Sequence, residues 1–440
     1  MGVQVAGDDR ADTARAARHQ SHPLRIRHLR FPRSAILCIV SANRRAMHSD
    51  LPLPESDALA HSEQLAAHLR AEILAQGGAM PFSRFMELVL YAPGWGYYSA
   101  GASKFGAAGD FVTAPEMGTL FAAATANALA PALRGLGAQA RVLELGGGSG
   151  AFAEAALGRL AELDALPARY AILEPSADLR QRQHQRLQDA LDPAVFARVE
   201  WLDRPFEDEW DGVLFANEVI DALPTPRFLI DQGEVYEETV ELDGEGRFVR
   251  GAQPANMLLS AAVRHVERYL ERPFADGYRS ELLPQLPYWI QAVAGGLRRG
   301  AMLFVDYGYT RAEFYQDDRR DGTVRAFYRH RVHNDVYRWP GLQDITASVD
   351  FTALAEAGTG AGFDLAGYCH QAGFLFGNGI TALLEDADER TDEVGRVRLR
   401  EQFKRLTLPT EMGERFQVMG FSRDVDLSAA FAMGDLTWRL

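Results

Sequence analysis

Residues 141–152 read RVLELGGGSGAF. Arg141–Leu145 is a strand-like run, three glycines follow at Gly146, Gly147 and Gly148, and a helix-like run starts at Ala151. A strand, a glycine turn and a helix in that order open a parallel α/β sheet. Side chains missing from the turn let backbone N–H groups and the helix N-terminus approach a ligand. Gly146, Gly148 and Gly150 fit G-x-G-x-G, while Gly146, Gly148 and Ala151 fit the looser dinucleotide pattern. Tight strand–helix packing alone would also produce such a turn, so the glycines leave the ligand open.

Two carboxylates narrow it. Glu144 lies two residues before Gly146 and points to the same side of the strand. A carboxylate there suits an ammonium group and opposes a pyrophosphate. Glu174 ends the next strand, where an acidic side chain accepts from both hydroxyls of a ribose, in NAD and S-adenosyl-L-methionine alike. Glu144 tips the reading to S-adenosyl-L-methionine, whose amino-acid end carries an ammonium and whose sulfur is positive.

Working outward, strands and helices alternate. Tyr170–Leu173 is a second strand, Leu179–Ala190 a charged helix, Trp201–Asp203 the end of a third strand and Gly212–Ala216 a fourth. Ala301–Val305 resumes the core and Phe416–Phe421 adds a last strand. This alternation predicts a doubly wound, Rossmann-like parallel sheet. Before it, residues 59–76 have helical spacing ended by Gly77-Gly78, and another helix starts near Pro115. The expected organisation is a leader over 1–50, a helical N-terminal cap over 51–137, and the first part of the core over 138–224. An inserted region of hairpins and helices follows over 225–297, and the rest of the core over 298–440.

The chain has 440 residues and a net charge of −14, which gives the body no global attraction for nucleic acid or an anionic membrane. The first fifty residues hold nine Arg and four Asp, a net of +5 that leaves −19 for the remainder. This stretch reads as an unstructured leader or an upstream start near Met47, with an organelle transit segment as the alternative. Cys38 and Cys369 lie in unrelated contexts, so no disulfide framework is expected. That fits a reducing compartment, a bacterial cytoplasm or a mitochondrial matrix. No apolar run approaches the roughly 20 residues of a membrane-crossing helix.

E-L-G-x-G-x-G followed by L-E-P-S resembles the class I S-adenosylmethionine-dependent methyltransferases. GDFVTAPE (Gly109–Glu116), ANEVIDALP (Ala216–Pro224), VDYGY (Val305–Tyr309), PGLQDITASVDF (Pro340–Phe351), QAGFLFGNGI (Gln371–Ile380) and MGERF (Met412–Phe416) narrow the resemblance to the MidA-like family. It spans roughly residues 60–425. Gly147 stands where many members have proline, and Asn217 where some have histidine. The family includes a mitochondrial assembly factor that methylates an arginine of a respiratory complex I subunit, which implies a protein acceptor here.

The candidate residues follow. Carboxylates pin a guanidinium and localise its charge. Glu218 and Asp221, just beyond the fourth strand, are therefore the candidate catalytic pair, with Asp306 after the fifth strand as a further substrate contact. Asp110 and Thr113 are expected to border the cofactor as a lid, with Glu116 at a helix start. Glu144, Gly146, Gly148, Gly150, Glu174 and Asn217 complete the expected cofactor set, with Asp203 accepting from an adenine amino group. His330, His333 and Asp335 have a metal-like spacing, but methyl transfer needs no metal and none is expected. Tyr91, Trp95, Tyr97 and Tyr98 are expected mainly to pack. An NAD-dependent oxidoreductase and a non-catalytic assembly chaperone with a vestigial cofactor site remain as alternatives.

Overall fold

Apolar residues run almost unbroken along the central strands, and successive side chains point to opposite faces, so that both faces of one sheet are buried. The computed structural model describes residues 51–99 and 113–440. Seven strands carry the core: β1 (Arg141–Leu145), β2 (Arg169–Leu173), β3 (Val199–Leu202), β4 (Trp210–Asn217), β5 (Leu297–Tyr309), β6 (Asp364–His370) and β7 (Phe416–Arg423). Their order is β6-β7-β5-β4-β1-β2-β3. Strands β3, β2, β1, β4 and β5 run parallel, and β7 lies antiparallel between β5 and β6. The strand order reverses between β1 and β4, and in such sheets the ligand crevice opens there, beyond the carboxyl ends. Strand β5 is much longer than the core of five residues read from sequence, and β6 was not foreseen.

The alternation sorts the residues. Val142, Val213, Phe215, Leu303 and Val418 face a cluster filled by α3 (Leu120–Leu136) and α4 (Ala151–Glu162). Leu143, Leu145, Leu214, Met302, Phe304 and Met419 face the opposite cluster, covered by helices Leu286–Ala294 and Phe351–Gly360. Helix α5 (Ala177–Ala190) follows β2 and is capped by Ser176, whose Oγ accepts from Leu179 N.

A second sheet is separate from the core sheet. Strand Ala79–Pro81, between α1 (Ser56–Ala75) and α2 (Phe82–Tyr91), pairs antiparallel with Glu234–Leu242. Arg227–Asp231 pairs with Glu234–Leu242 and with Arg279–Glu281, and Phe248–Pro254 flanks the other side. The segment preceding the core and the segment inserted after β4 therefore share one sheet and one apolar cluster. That cluster also takes in Val324, and Ala326 and Ile345 from a small sheet of Arg325–Tyr328, Arg331–His333 and Asp344–Thr346. Arg227 is buried among Glu238, Glu281 and Asp321, which compensates its charge. Among the described residues no helix is long and apolar enough to cross a membrane.

Candidate active site

Two cavities meet at the turn after β4. The first, about 280 Å³, is bounded by the glycine turn, the ends of β1 and β2, and Thr113–Glu116. The second, about 780 Å³, is bounded by Asp221, Tyr307, Asp344, Thr346 and Phe416. Glu218 lines both.

In the first cavity the glycine turn is forced open by its backbone. Gly146 and Gly148 have φ of 64° and 53°, the left-handed region. A Cβ on Gly148 would enter open space, and one on Gly146 would press on Val219 at 3.2 Å. Gly150 departs from the expectation that it borders the ligand. It forms the left-handed N-cap of α4, with φ of 83°, and packs against Gln183 outside the cavity lining.

Glu144 is buried at the end of β1 and accepts from Tyr170 Oη at 2.8 Å. Burial, with the Glu174 charge nearby, pushes its carboxyl up to about 7, against the lowering effect of the Tyr170 bond. Glu174 accepts from Ser176 N at 3.0 Å and from Gln183 Nε2 at 3.2 Å, and burial pushes it up to about 6. Both carboxylates would gain from a cation or a pair of hydroxyls in the cavity. Together with the glycine cradle they fit S-adenosyl-L-methionine: Glu144 at its ammonium, Glu174 at its ribose. Thr113 lines this cavity. So does Glu116, which accepts from Ser149 Oγ and ties the segment before α3 to the glycine turn. Asp110 lies outside the described residues.

Asp203 is not brought to the cavity. It is 86% exposed and pairs with Arg180 at 2.7 Å, because β3 ends at Leu202 and turns its next residue outward. His330 and His333 line neither cavity. Arg331–His333 is an edge strand, and among the described residues no group of three metal-binding side chains occurs.

At the junction, Glu218 has φ of 53°, unusual for a residue with a side chain. Its backbone N–H donates to Val305 O at 2.9 Å, fixing the turn to β5. Its carboxyl accepts from Asn217 Nδ2 at 3.1 Å and from the Ala114 N–H. Burial first, then the Asp221 charge, pushes it up to about 8. Asn217 thus lines the donor cavity and also holds Glu218. Asp221 is buried, raised by burial above the ordinary carboxylate range, and its Oδ1 has no hydrogen-bond partner. The Tyr307 hydroxyl sits between the Asp221 carboxylate and Thr346.

Asp306 differs from its expected role as a substrate contact. It lines neither cavity. Its Oδ2 accepts from Ile220 N at 3.1 Å and Asp221 N at 3.3 Å, and its Oδ1 from Tyr307 N at 2.9 Å. Register explains this: Asn217 pairs with Val305, so the next residue of β5 lies beside the turn backbone. Asp306 is a positioning residue that holds the strained turn.

Sequence reasoning passed over several supports. Tyr170 is the diagonal cross-strand neighbour of Glu144, since Glu144 pairs with Ile172 two residues on. Gln183 sits midway on the buried stripe of Leu179 and Leu187, a polar residue on an apolar face. Strand alternation and helical spacing could have found both. Tyr91 and Tyr98, expected to pack, do stack on each other at 5.5 Å, and they also wall the donor cavity.

Residues 124–369 match a family model described as "Putative S-adenosyl-L-methionine-dependent methyltransferase". A crystal structure from Burkholderia thailandensis, bound to S-adenosyl-homocysteine, is 43% identical with a TM-score of 0.83, covering 89% of this chain and all of that one. A Drosophila melanogaster relative, named "Protein arginine methyltransferase NDUFAF7 homolog, mitochondrial", is 30% identical over 83% of this chain and 87% of its own length. The Danio rerio protein named "Protein arginine methyltransferase NDUFAF7, mitochondrial" is 28% identical over 81% and 86% respectively.

Proposed function

This chain belongs to that family of S-adenosyl-L-methionine-dependent methyltransferases, and on that premise we propose that it methylates an arginine of a protein substrate. The observation that carries the reading is the position of Glu218, the residue shared by the donor cavity and a larger cavity walled by carboxylates and aromatic rings. Bound S-adenosyl-L-methionine supplies an electrophilic methyl group on a positively charged sulfur.

The chain does the rest. Asp306 fixes the turn so that Glu218 and Asp221 face the acceptor. Their carboxylates hold a guanidinium and localise its charge on one nitrogen. Glu218, raised by burial, is suited to take the proton that this nitrogen gives up when it is methylated. Tyr307 and Phe416, in edge contact at 5.6 Å, line the larger cavity with aromatic surface against which the planar group can pack. The mitochondrial arginine methyltransferases among the relatives support the acceptor class, and the sequence resemblance adds a respiratory complex I subunit as the candidate substrate. Incubation with methyl-tritiated S-adenosyl-L-methionine and bacterial lysate tests the reading. Label is expected in protein. Label confined to small molecules would contradict it.

A further inference from the structure

Asn217 ends β4 and lines the donor cavity but not the larger one, whereas its neighbour Glu218 lines both. Asn217 Nδ2 donates to Glu218 Oε1 at 3.1 Å. That bond fixes the amide. Turned the other way, it would set Oδ1 against the ionised carboxylate oxygen. Asn217 Oδ1 is buried, and it has no hydrogen-bond partner among the described residues. The other residues that this turn gives to the donor cavity beyond Glu218, namely Val219, Ala222 and Leu223, are apolar. A buried carbonyl left without a partner is costly, so a positive or hydrogen-donating group of the ligand is its complement.

The sheet order says which group that is. Leu145 of β1 pairs with Leu173 of β2 on one side and with Ala216 of β4 on the other. Glu144 and Glu174, which suit the ammonium and the ribose of the donor, belong to β1 and to the end of β2. The β4 side is left for the sulfonium methyl, which has to be presented where the two cavities meet at Glu218. We propose that the Asn217 carbonyl oxygen faces the transferred methyl group and answers the positive charge of the sulfonium. Methyl hydrogens next to that charge are weak C–H donors, and charge strengthens such a contact. S-adenosyl-homocysteine has lost both the methyl and the charge, so the carbonyl adds affinity for the donor that the spent product does not receive. The proposal rests on the donor and on no reading of the acceptor, so failure to label a protein would leave it standing.

Dissociation constants of S-adenosyl-L-methionine, S-adenosyl-homocysteine and sinefungin, measured by calorimetry, test it. Sinefungin carries a charged amino group where the donor carries its methyl. Asn217→Ala removes the carbonyl. It is expected to weaken sinefungin most, roughly 10- to 150-fold, through a lost bond to a charged N–H. S-adenosyl-L-methionine should weaken roughly 5- to 30-fold, and S-adenosyl-homocysteine by no more than about twofold. Retained S-adenosyl-homocysteine binding also reports an intact cavity. Asn217→Asp keeps an oxygen at this place and should keep at least the wild-type ratio of donor to product affinity. An equal loss for all three ligands in Asn217→Ala overturns the proposal, as do wild-type affinities for all three. Should Asn217→Ala fail to fold, Asn217→Asp decides alone, and a ratio that shifts toward the product in that variant overturns the proposal.

Discussion

Glu218→Gln replaces a carboxylate by an amide of nearly the same shape at the junction of the two cavities. Two effects follow from the geometry. The first is on the reaction. The amide can still meet a guanidinium, but the charge-assisted bond is lost, worth about 1.5–3 kcal/mol, or roughly 10- to 150-fold in kcat/KM. The second is on the protein without ligands. The folded state raises Glu218 from 4.5 to about 8, so between those pH values the folded protein holds a proton that the unfolded chain releases. A raised carboxyl therefore contributes a stability that declines as pH rises through this window and levels off above about 8. The difference reaches about 3 kcal/mol by pH 7. Glu218→Gln lacks that titration, so it matches wild type near pH 4.5 and becomes the more stable protein as pH rises. Denaturant melts across pH 4.5–8.5 measure the second effect, and methyl-transfer rates the first. The rate profile supplies a further check: wild-type kcat/KM climbs with pH toward about 8 as the carboxylate forms, and the climb is flattened in the variant. Glu218→Gln with wild-type rate and unchanged pH dependence of stability would refute the reasoning.

Other consequences concern the donor cavity and the turn after β4. Glu144→Gln should weaken S-adenosyl-L-methionine binding roughly 10- to 100-fold by calorimetry, through loss of a charged partner. Because Glu144 is raised to about 7, binding the cationic donor to wild type near pH 6.5 should release protons, read as a buffer-dependent heat that the variant loses. Gly148→Val should lose donor binding, since φ of 53° strains a β-branched residue and its side chain would fill the cradle. Asp306→Ala should lower stability by roughly 1–3 kcal/mol in urea melts, through buried N–H groups left without an acceptor. It should also slow methyl transfer while S-adenosyl-homocysteine still binds.

How much of this was legible in the sequence depended on the distance over which each feature is set. The glycine turn, Glu144 and Glu174 belong to two successive strand ends, and local alternation places them correctly around one cavity. The parallel strands were visible as apolar runs between helical segments. Strand β6 was not. Its sequence DLAGYCH begins with an aspartate and carries a glycine, and its pairing with β7 shifts register between Leu365 and Gly367. Asp203 was placed at the ligand by its position after β3, but Arg180 on α5 captures it, a contact no strand pattern encodes. Asp306 was recognised as belonging to the site. Its role turned on a one-residue offset between β4 and β5, which decides whether a carboxylate faces the cavity or the backbone. Tyr98 and Asp344, joined by a hydrogen bond from the Tyr98 hydroxyl, meet only because the N-terminal segment and the small sheet share a cluster with the inserted region. Local sequence carries no signal for that meeting.

The central claim is that the methyl group ends on an arginine held at Glu218. Acid hydrolysis of lysate protein labelled by the wild-type enzyme, followed by chromatography of the labelled amino acids, tests it directly. The account predicts tritium in methylarginine, strongly reduced when Glu218→Gln replaces wild type. Tritium in methyllysine, methylhistidine or a base-labile methyl ester, with methylarginine unlabelled, would contradict it.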